Sequence, residues 1–437
     1  MWESMLYFFG TGVAETLDPK WDLAGWLARC RAEGPLIEVQ NVDMLFRLYD
    51  GRKLAGLGPG AAARSPAAPG TARAPTGTAR PGPAAVPQWL RFVGPRQVEV
   101  VRGRVGDRAV AGPGQMVVSS RRSLISSGTE LKVFRGEFER GTQLDSTIKG
   151  MADSCMTYPL EYGYCLVGRV ESVGPARPHA LPDAGASRQA ALGDLVLAFA
   201  PHGSRVVVAA ESVLVVPEGV EEEDACYLPA VETALSLVHD AAPLVGERVG
   251  VIGQGLIGLL VTGILGHTVG DPQRLLAAVE LLPERATAAR QMGAGEVLHP
   301  AALCNVTFAR KHLDPPLDVA VEVSGHPSGL QAAIDSCRPG GRVVIGSWYG
   351  NRTVQLCLGL DFHRSQITLK SSQVSKIPAE LSTRWDKQRR FAEAWEWVRR
   401  LRPSRLLTTM SLPLAGAQEA YQALDAGRTL GVEFVYR

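Results

Sequence analysis

The sequence predicts an α/β protein that combines a doubly wound parallel sheet with a smaller antiparallel, barrel-like β unit. Between residues 88 and 217, short β-branched runs follow one another closely with glycine, proline and serine between them, as in antiparallel units. Residues 218–375 alternate strand-like and helix-like segments, which predicts a parallel sheet with helices on both faces. Residues 376–437 hold a final helix and a closing strand that we expect to return to the first unit.

Composition sets the broad class of the protein. The chain has 437 residues, 46% of them hydrophobic and 21% charged, which suits a globular protein of two or three domains. Its 46 basic and 44 acidic side chains leave a formal charge of +2, so we expect no nucleic-acid partner. Seven scattered cysteines without a C-x-x-C pair predict neither a disulfide framework nor a structural zinc site. An intracellular, cytoplasmic location fits this cysteine usage.

The first 87 residues differ from the rest. Residues 1–54 could form one short helix and a strand, and they indicate no chemistry. Residues 55–87 hold 11 Ala, 6 Gly and 7 Pro among 33 positions, which predicts a flexible linker because so little apolar surface can be buried there. The same Ala- and Arg-rich, acid-free composition is similar to an organelle transit peptide, so a plastid location is a further expectation.

The individual elements follow in order. In the antiparallel unit the candidate strands are 98–101, 116–121, 167–174, 194–200 and 205–210. In the parallel sheet the candidate strands are 249–253, 275–280, 321–324, 342–347 and 367–371, with helices at 255–266, 284–292 and 327–337. The return segment has a helix at 384–401 and a strand at 431–436. Residues 249–266 carry no charge, but their glycines predict a strand, a turn and a helix instead of a membrane span.

A G-x-G-x-x-G motif follows the first strand of the parallel sheet, with glycines at Gly253, Gly255 and Gly258. The first glycine permits a tight turn, the second lets a pyrophosphate approach the backbone, and the third lets helix pack on strand. Leu256 and Ile257 open the helix whose N-terminus then faces the phosphates. The motif predicts a Rossmann-type dinucleotide site, although a glycine turn that only packs strand on helix would have the same sequence.

Glu280 ends the next candidate strand, where a carboxylate can accept hydrogen bonds from a ribose diol. Its charge would repel a 2′-phosphate, so NAD is expected, with NADP possible because Arg274 and Arg285 lie nearby in sequence. Arg285 is assigned to the cofactor site, and an ordinary solvated helix charge is the alternative interpretation.

The chain resembles the medium-chain dehydrogenase/reductase superfamily over residues 88–437. The resemblance rests on ISSGTE at 125–130, YPLEYGYCLVGRVESVG at 158–174 and LPAVETALSLV at 228–238. It implies a GroES-like catalytic barrel beside the Rossmann-type sheet, and an NAD(P)-dependent oxidoreductase with a small-molecule substrate. A homodimer is a further expectation from the resemblance. GSWYG at 346–350 and residues 360–378 are similar to a zinc-lacking branch that includes bacteriochlorophyllide 2-hydroxyethyl dehydrogenase.

Zinc-dependent members place metal ligands where this chain has Ser127, Tyr164 and Pro229. Serine and tyrosine hydroxyls stay protonated near pH 7 and proline has no side-chain donor, so no zinc and no other metal is expected. The hydroxyls of Tyr164, Ser127 and Thr129 are therefore the candidate catalytic groups, with Tyr164 as proton donor or acceptor. The alternative for Tyr164 is a ring that fills the space of the missing histidine.

Other side chains near these motifs have two interpretations each. The resemblance places Thr233 near the nicotinamide carboxamide, while a helix cap is the alternative. Glu130 either orients Thr129 or caps local backbone, and His202 and His363 are expected to be surface or internally satisfied histidines.

The leading hypothesis is a zinc-independent oxidoreductase acting on a secondary alcohol or its ketone, with a tetrapyrrole hydroxyethyl group as one candidate substrate. An enoyl or quinone reductase is the alternative among enzymes. A catalytically inactive, nucleotide-binding regulatory protein is the alternative from another class.

Overall fold

The computed structural model describes residues 86–104, 107–108, 110–144, 154–176, 189–303, 315–359 and 361–436. These residues belong to one compact unit, Pro81–Arg437. The predictions for residues 1–54, and nearly all of the predicted linker 55–87, lie outside the described residues. Within the described ranges, none of the helices combines the length and the apolar composition that a membrane crossing requires.

The antiparallel unit is built around one long central strand. Its strands are β1 (Gln88–Gly94), β2 (Gln97–Arg102), β3 (Gln115–Leu124), β4 (Leu166–Val173), β5 (Leu195–Ala198), β6 (Arg205–Ala209) and β7 (Val213–Val215). The return segment adds β14 (Thr408–Leu412) and β15 (Gly431–Val435). The central strand β3 pairs antiparallel with β4, β6 and β15, so the C-terminal segment closes onto the first unit. The short helix α1 (Glu130–Arg135) follows β3.

One strand pair in this unit is parallel, in contrast to the antiparallel expectation. β14 and β15 run in the same direction, with Ser411 opposite Glu433. The helix α11 (Ala417–Asp425) connects them, and a crossover helix is what allows two successive strands to lie parallel. The pairing of β15 with β3 remains antiparallel, so the rest of the sheet follows the expected pattern.

Strands β1 and β2 form a two-stranded sheet separate from the one built on β3, and the remaining sheet, of six strands, is wholly parallel. Its strands are β8 (Val249–Ile252), β9 (Leu276–Val279), β10 (Glu296–Leu298), β11 (Leu317–Glu322), β12 (Cys337–Ile345) and β13 (Thr368–Ser371). They lie in the order β10-β9-β8-β11-β12-β13, so the chain leaves β8 toward one edge and later returns beside it to build the other. This reversal is a topological switch point, and its carboxyl end is where such sheets bind ligands.

Helices cover both faces of the parallel sheet. The helices that follow the antiparallel strands in the chain are α2 (Glu222–Ala225), α3 (Leu228–Ala241), α4 (Leu256–Thr268), α5 (Pro272–Leu275), α6 (Pro283–Gln291), α7 (Pro327–Ser336), α8 (Asp361–Arg364), α9 (Lys387–Leu401) and α10 (Ser404–Leu407). Helices α3, α4 and α9 pack on one face, where Val251 and Val321 lie, and α7 packs on the other, where Ile252 and Ala320 lie. The predicted α/β class, with a doubly wound parallel sheet and a separate β unit, is confirmed.

The helix predicted to begin at residue 384 begins three residues later. The side chain of Asp386 accepts a hydrogen bond of 2.7 Å from the Arg389 amide and caps α9 at Lys387. Trp385 lies outside the helix and packs on the His239 ring at 4.3 Å. Capping by an aspartate three residues into the segment therefore sets the start of the helix.

Candidate active site

The G-x-G-x-x-G segment forms the turn between β8 and α4, at the switch point of the parallel sheet. Gly253 has φ +94, and a Cβ there would come within 2.6 Å of the Ser324 Cα. A Cβ on Gly258 would lie 1.9 Å from the carbonyl oxygen of Gly253. Both positions exclude any larger residue on packing grounds alone. These two glycines build the turn whether or not a ligand binds.

Gly255 differs from its two neighbours. Its backbone is extended, with φ −72 and ψ −169, and a Cβ added there would meet nothing within 4 Å. The protein itself therefore does not require glycine at this position. Gly255 precedes α4, whose first residues are Leu256 and Ile257 and whose N-terminus has no side-chain cap. Open space in front of uncapped amide groups suits an anionic ligand.

Two buried side chains hold the turn in shape. Gln254 is fully buried, donates a 3.1 Å hydrogen bond to the Val251 carbonyl and accepts one of 2.9 Å from Thr262 in α4. Glu280 follows β9 and accepts a 2.8 Å hydrogen bond from the Gln254 amide through Oε2. Its Oε1 accepts from the amides of the next two residues, also at 2.8 Å each. The carboxylate thus braces the turn, and its remaining lone pair is available to a ribose hydroxyl.

The other residues assigned to the cofactor from sequence make contacts of their own. The Arg285 guanidinium donates a 3.4 Å hydrogen bond to the carbonyl of Thr429, in the return segment. The Thr233 hydroxyl donates to the Pro229 carbonyl at 2.9 Å, one turn earlier in α3. Arg274 is exposed and lies 3.7 Å from Asp271. The structure therefore places Glu280 at the glycine turn and gives Arg285 and Thr233 protein partners.

Tyr164 lies beside the segment that connects β3 to α1. Its phenol oxygen shares a short hydrogen bond with the Ser126 hydroxyl and donates to the Thr129 hydroxyl at 3.3 Å. Ser127 is half-buried, and its hydroxyl makes no hydrogen bond to the part of the chain that the structure describes. The structure thus brings Tyr164 and Thr129 together as expected from the sequence, but it adds Ser126 as the nearer serine.

Burial determines the protonation state of this phenol. Desolvation raises the pKa of Tyr164 well above the usual value for tyrosine, and the nearby Cys165 thiol raises it further. The hydrogen bonds from Ser126 and Thr129 act in the opposite direction and do not overcome the burial. A phenol that stays protonated can donate a hydrogen bond to a substrate oxygen, whereas base action would require the opposite shift.

The chemistry of this site does not suit zinc. The three positions that the resemblance identifies as ligand positions carry Ser127, Tyr164 and Pro229, two neutral hydroxyls and a side chain with no donor atom. The neighbouring Cys165 is buried, and burial raises the pKa of its thiol well above the ordinary value, which disfavours a metal-binding thiolate. In the described ranges, no group of three or more His, Cys, Asp or Glu side chains is arranged to hold a metal ion.

A second buried carboxylate near the turn was not identified from the sequence. Glu322 ends β11 with no exposed surface, and its Oε1 accepts hydrogen bonds from the Ser324 amide at 2.7 Å and hydroxyl at 2.6 Å. Its Oε2 accepts from the Tyr349 hydroxyl at 2.8 Å. Ser324 is the residue against which Gly253 packs. The one sequence signal for this carboxylate was an apolar strand that ends in a glutamate. Its partners could not be predicted, because Ser324 and Tyr349 both lie in loops.

The two sheets approach each other next to these loops. A Cβ on Gly350, which follows β12 and has φ +65, would lie 2.3 Å from the Glu137 carbonyl, just beyond α1. Lys132 in α1 donates a 2.6 Å hydrogen bond to the Glu137 carboxylate, and Arg352 lies 3.8 Å from the same carboxylate. The segment carrying Ser126 and Thr129 is therefore joined through α1 to the loop after β12.

The glycine turn lies at the switch point of a parallel sheet, beside a mainly antiparallel unit that bears Tyr164, and solved dehydrogenases share this fold. Residues 275–399 match the zinc-binding dehydrogenase family. D-guloside 3-dehydrogenase of Shigella flexneri is 27% identical over 212 residues, covering 47% of this chain and 59% of the relative. L-threonine 3-dehydrogenase of Saccharopolyspora erythraea is 29% identical over 204 residues, covering 46% and 52%. The chain spans a little over half the length of these relatives.

Solved structures share the fold at low sequence identity. 2R,3R-butanediol dehydrogenase from Bacillus subtilis has a TM-score of 0.63 and 19% identity, covering 80% of this chain and 100% of that one. A short chain alcohol dehydrogenase from Escherichia coli CFT073, complexed with NADH, has a TM-score of 0.60, 16% identity and coverage of 80% and 100%. A protein from Sinorhizobium meliloti 1021 bound to NADP has a TM-score of 0.61, 17% identity and coverage of 80% and 99%. Together, the match over residues 275–399 and the relatives show that part of this chain is similar to zinc-binding dehydrogenases, and the solved structures show that it shares the fold of dehydrogenases.

Proposed function

We propose that this chain is an NAD(P)-dependent oxidoreductase that interconverts a secondary alcohol and its ketone without zinc. The observation that carries the proposal is the open space over Gly255, at the uncapped N-terminus of α4 and the switch point of the sheet. The fold does not need glycine there, but a bound pyrophosphate does. Relatives named as dehydrogenases, and neighbours solved with NADH or NADP, support the nicotinamide-dependent part of the proposal, while the absence of zinc is proposed from the ligand positions alone.

The residues present suit a dinucleotide. The amides of Leu256 and Ile257 open α4 and would bind the pyrophosphate, while Glu280 would accept a hydrogen bond from the adenosine ribose. The carboxylate disfavours a 2′-phosphate, so we propose NAD over NADP. When bound as NADH, this cofactor supplies the hydride for ketone reduction.

Tyr164 is the proposed proton donor. In the reductive direction the carbonyl oxygen gains negative charge, and a neutral phenol that redirects its single O–H from Thr129 to that oxygen would stabilise the charge and then transfer the proton, which solvent would replace before the next turnover. Ser126 and Thr129 hold the phenol oxygen in place through their hydroxyls. The proposed mechanism thus assigns to fixed hydroxyls the charge stabilisation that a Lewis acid performs in zinc enzymes.

We expect the purified protein to contain less than about 0.1 zinc per chain and to keep its activity after treatment with EDTA, because the ligand positions lack metal-binding atoms. Elemental analysis by mass spectrometry and activity before and after chelation measure this. The exposed thiols Cys155 and Cys357 could bind stray zinc, so the Cys155→Ser, Cys357→Ser double variant serves as control. Stoichiometric zinc in that variant, with activity lost on its removal, would contradict the proposal.

A substrate panel tests the reaction itself. NADH oxidation is followed by absorbance with secondary ketones, with enones and quinones, and with ketones on a tetrapyrrole side chain, the substrate class of the branch that the sequence resembles. Turnover of ketones to secondary alcohols supports the proposal, and turnover of enones or quinones alone would assign the chain to the reductases. Cofactor binding without any turnover would indicate a regulatory nucleotide-binding protein.

Quaternary structure and location complete the proposal. We propose a homodimer inside the cell, from the resemblance and the cysteine usage, with a plastid as the alternative compartment. Light scattering of the purified chain at micromolar concentration tests the homodimer, and imaging of the full chain carrying a fluorescent tag tests the location.

A further inference from the structure

A buried carboxylate and a buried imidazole lie directly beneath the hydrogen bond between Tyr164 and Ser126. Glu130 has no exposed surface and His202 is 1% exposed, although they are 72 residues apart in sequence. The His202 Nε2 lies 2.9 Å from the Glu130 Oε2. Neither side chain has a place in the proposed chemistry, so the pair requires a separate explanation.

Glu130 holds the segment that carries Ser126. Its Oε1 accepts a 2.8 Å hydrogen bond from the Ser126 amide, and its Oε2 accepts from His202 and from the Tyr421 hydroxyl. Three donors converge on one carboxylate, which is how a buried charge is stabilised without water. The backbone of Ser126 is therefore fixed by a side chain that is itself fully enclosed.

The hydrogen bonds of His202 are also complete. Its Nδ1 lies 2.7 Å from the Ser123 hydroxyl, which lies 2.8 Å from the Tyr436 hydroxyl. If Nε2 carries the proton and donates to Glu130, then Nδ1 accepts from Ser123 and Ser123 accepts from Tyr436. In this series of hydrogen bonds both ring nitrogens of His202 then have a partner, so the imidazole ring has one fixed orientation.

The same imidazole fixes the backbone next to Tyr164. Gly163 has φ +128, and a Cβ added there would lie 2.8 Å from His202 Cδ2. The ring therefore packs flush against the peptide that precedes Tyr164, while Phe434 contacts its other side edge-on at 5.2 Å. Glu130 therefore contacts the segment that carries Ser126, and His202 contacts the segment that carries Tyr164.

We propose that Glu130 and His202 are positioning residues that hold Tyr164 and Ser126 in hydrogen-bonding register. The catalytic consequence of this role rests on the proposed function of Tyr164, whereas the structural role does not. Misplacing a reacting group by about 1 Å can cost a hundredfold in rate, so a fixed phenol matters for proton transfer.

The test uses full-length protein labelled with ¹³Cζ-tyrosine, in which the phenol carbon shift reports hydrogen bonding. The Tyr164 resonance is assigned by its absence from Tyr164→Phe. Glu130→Gln introduces an NH₂ group among three donors, so we expect the Tyr164 resonance to move or split. With an accepted ketone, we expect kcat to fall about 10-fold while KM for NADH stays within about twofold, because the pair does not touch the glycine turn.

Matched variants separate positioning from general destabilisation. Glu433→Gln makes the same change at another carboxylate, 3% exposed and bound to Arg122, and should leave the Tyr164 resonance in place. His202→Ala should move the Tyr164 resonance. His202→Gln should move it less, because the glutamine side chain can still donate a hydrogen bond to Glu130.

A Tyr164 resonance that is unchanged in both Glu130→Gln and His202→Ala would overturn the proposal. If Glu130→Gln does not fold, His202→Ala alone decides in the same way. The resonance is measured without substrate, so absence of turnover on every substrate would count against the proposed function and not against this one. Conversely, normal turnover with an unmoved resonance would leave the function intact and reject the positioning role.

Discussion

Gly255→Glu is expected to abolish NADH binding, with at least about a 100-fold loss of affinity. The new side chain would occupy the open space in front of α4 and place a carboxylate where we propose that the pyrophosphate binds. The backbone at this position is extended and nothing lies within 4 Å of an added Cβ, so the fold should tolerate the substitution. Isothermal titration calorimetry with NADH measures the affinity, and circular dichroism confirms folding.

Two controls make this result specific. Gly270→Glu introduces the same side chain just beyond the opposite end of α4, where an added Cβ also has nothing within 4 Å, and it should bind NADH normally. Gly255→Ala should fold and bind more weakly than the native chain, since only a methyl group enters the space. Native affinity in Gly255→Glu would show that no pyrophosphate lies at this turn, and the proposed function would lose its main support.

Tyr164→Phe is expected to lower kcat for ketone reduction by about 100-fold or more, the usual range for removal of a general acid. The ring remains, so packing should change little, while the phenol hydroxyl that contacts Ser126 and Thr129 is lost. NADH affinity should not change, since the side-chain hydrogen bonds that brace the glycine turn come from Gln254 and Glu280 and do not involve the Tyr164 hydroxyl. Steady-state kinetics together with calorimetry would separate the two parameters.

Tyr158→Phe is the matched control. Tyr158 lies in the same antiparallel unit, donates its hydroxyl to the Val133 carbonyl, and has a pKa that burial raises to about 12. Removal of its hydroxyl deletes a partly buried hydrogen bond without altering the candidate site. Equal kcat values in Tyr164→Phe and the native protein would assign Tyr164 a space-filling role, which is the alternative that the sequence left open.

The same phenol predicts the pH dependence of the reaction. Because the pKa of Tyr164 is raised, the donor form persists at pH values below the usual tyrosine pKa of 10.0 and is lost only above it. The rate of ketone reduction should therefore show no downturn from phenol ionisation between about pH 7 and pH 9. A fall in the rate of ketone reduction as the pH rises through neutrality, absent in Tyr164→Phe, would contradict the upward shift assigned to the pKa of Tyr164.

The sequence predicted the features that depend on local patterns. The apolar strand, the three glycines after it and Glu280 after the next strand lie within residues 249–280, so spacing alone was enough to predict a turn against a parallel sheet. The hydroxyl of Tyr164 was likewise expected from its place in a motif. The parallel pairing of β14 with β15 was not, because strand direction there depends on the path of α11 across the sheet.

What the sequence determined by itself is the chemistry available at each position: a glycine turn between strand and helix, a carboxylate that follows the next strand, and hydroxyls at the positions where the resemblance places zinc ligands. Only the tertiary structure decided which groups meet. It selected Ser126 over Ser127 as the nearer partner of Tyr164, and it buried His202 against Glu130. The physical reason is that such contacts join residues far apart in the chain, and only the packing of the whole sheet brings them within hydrogen-bonding distance.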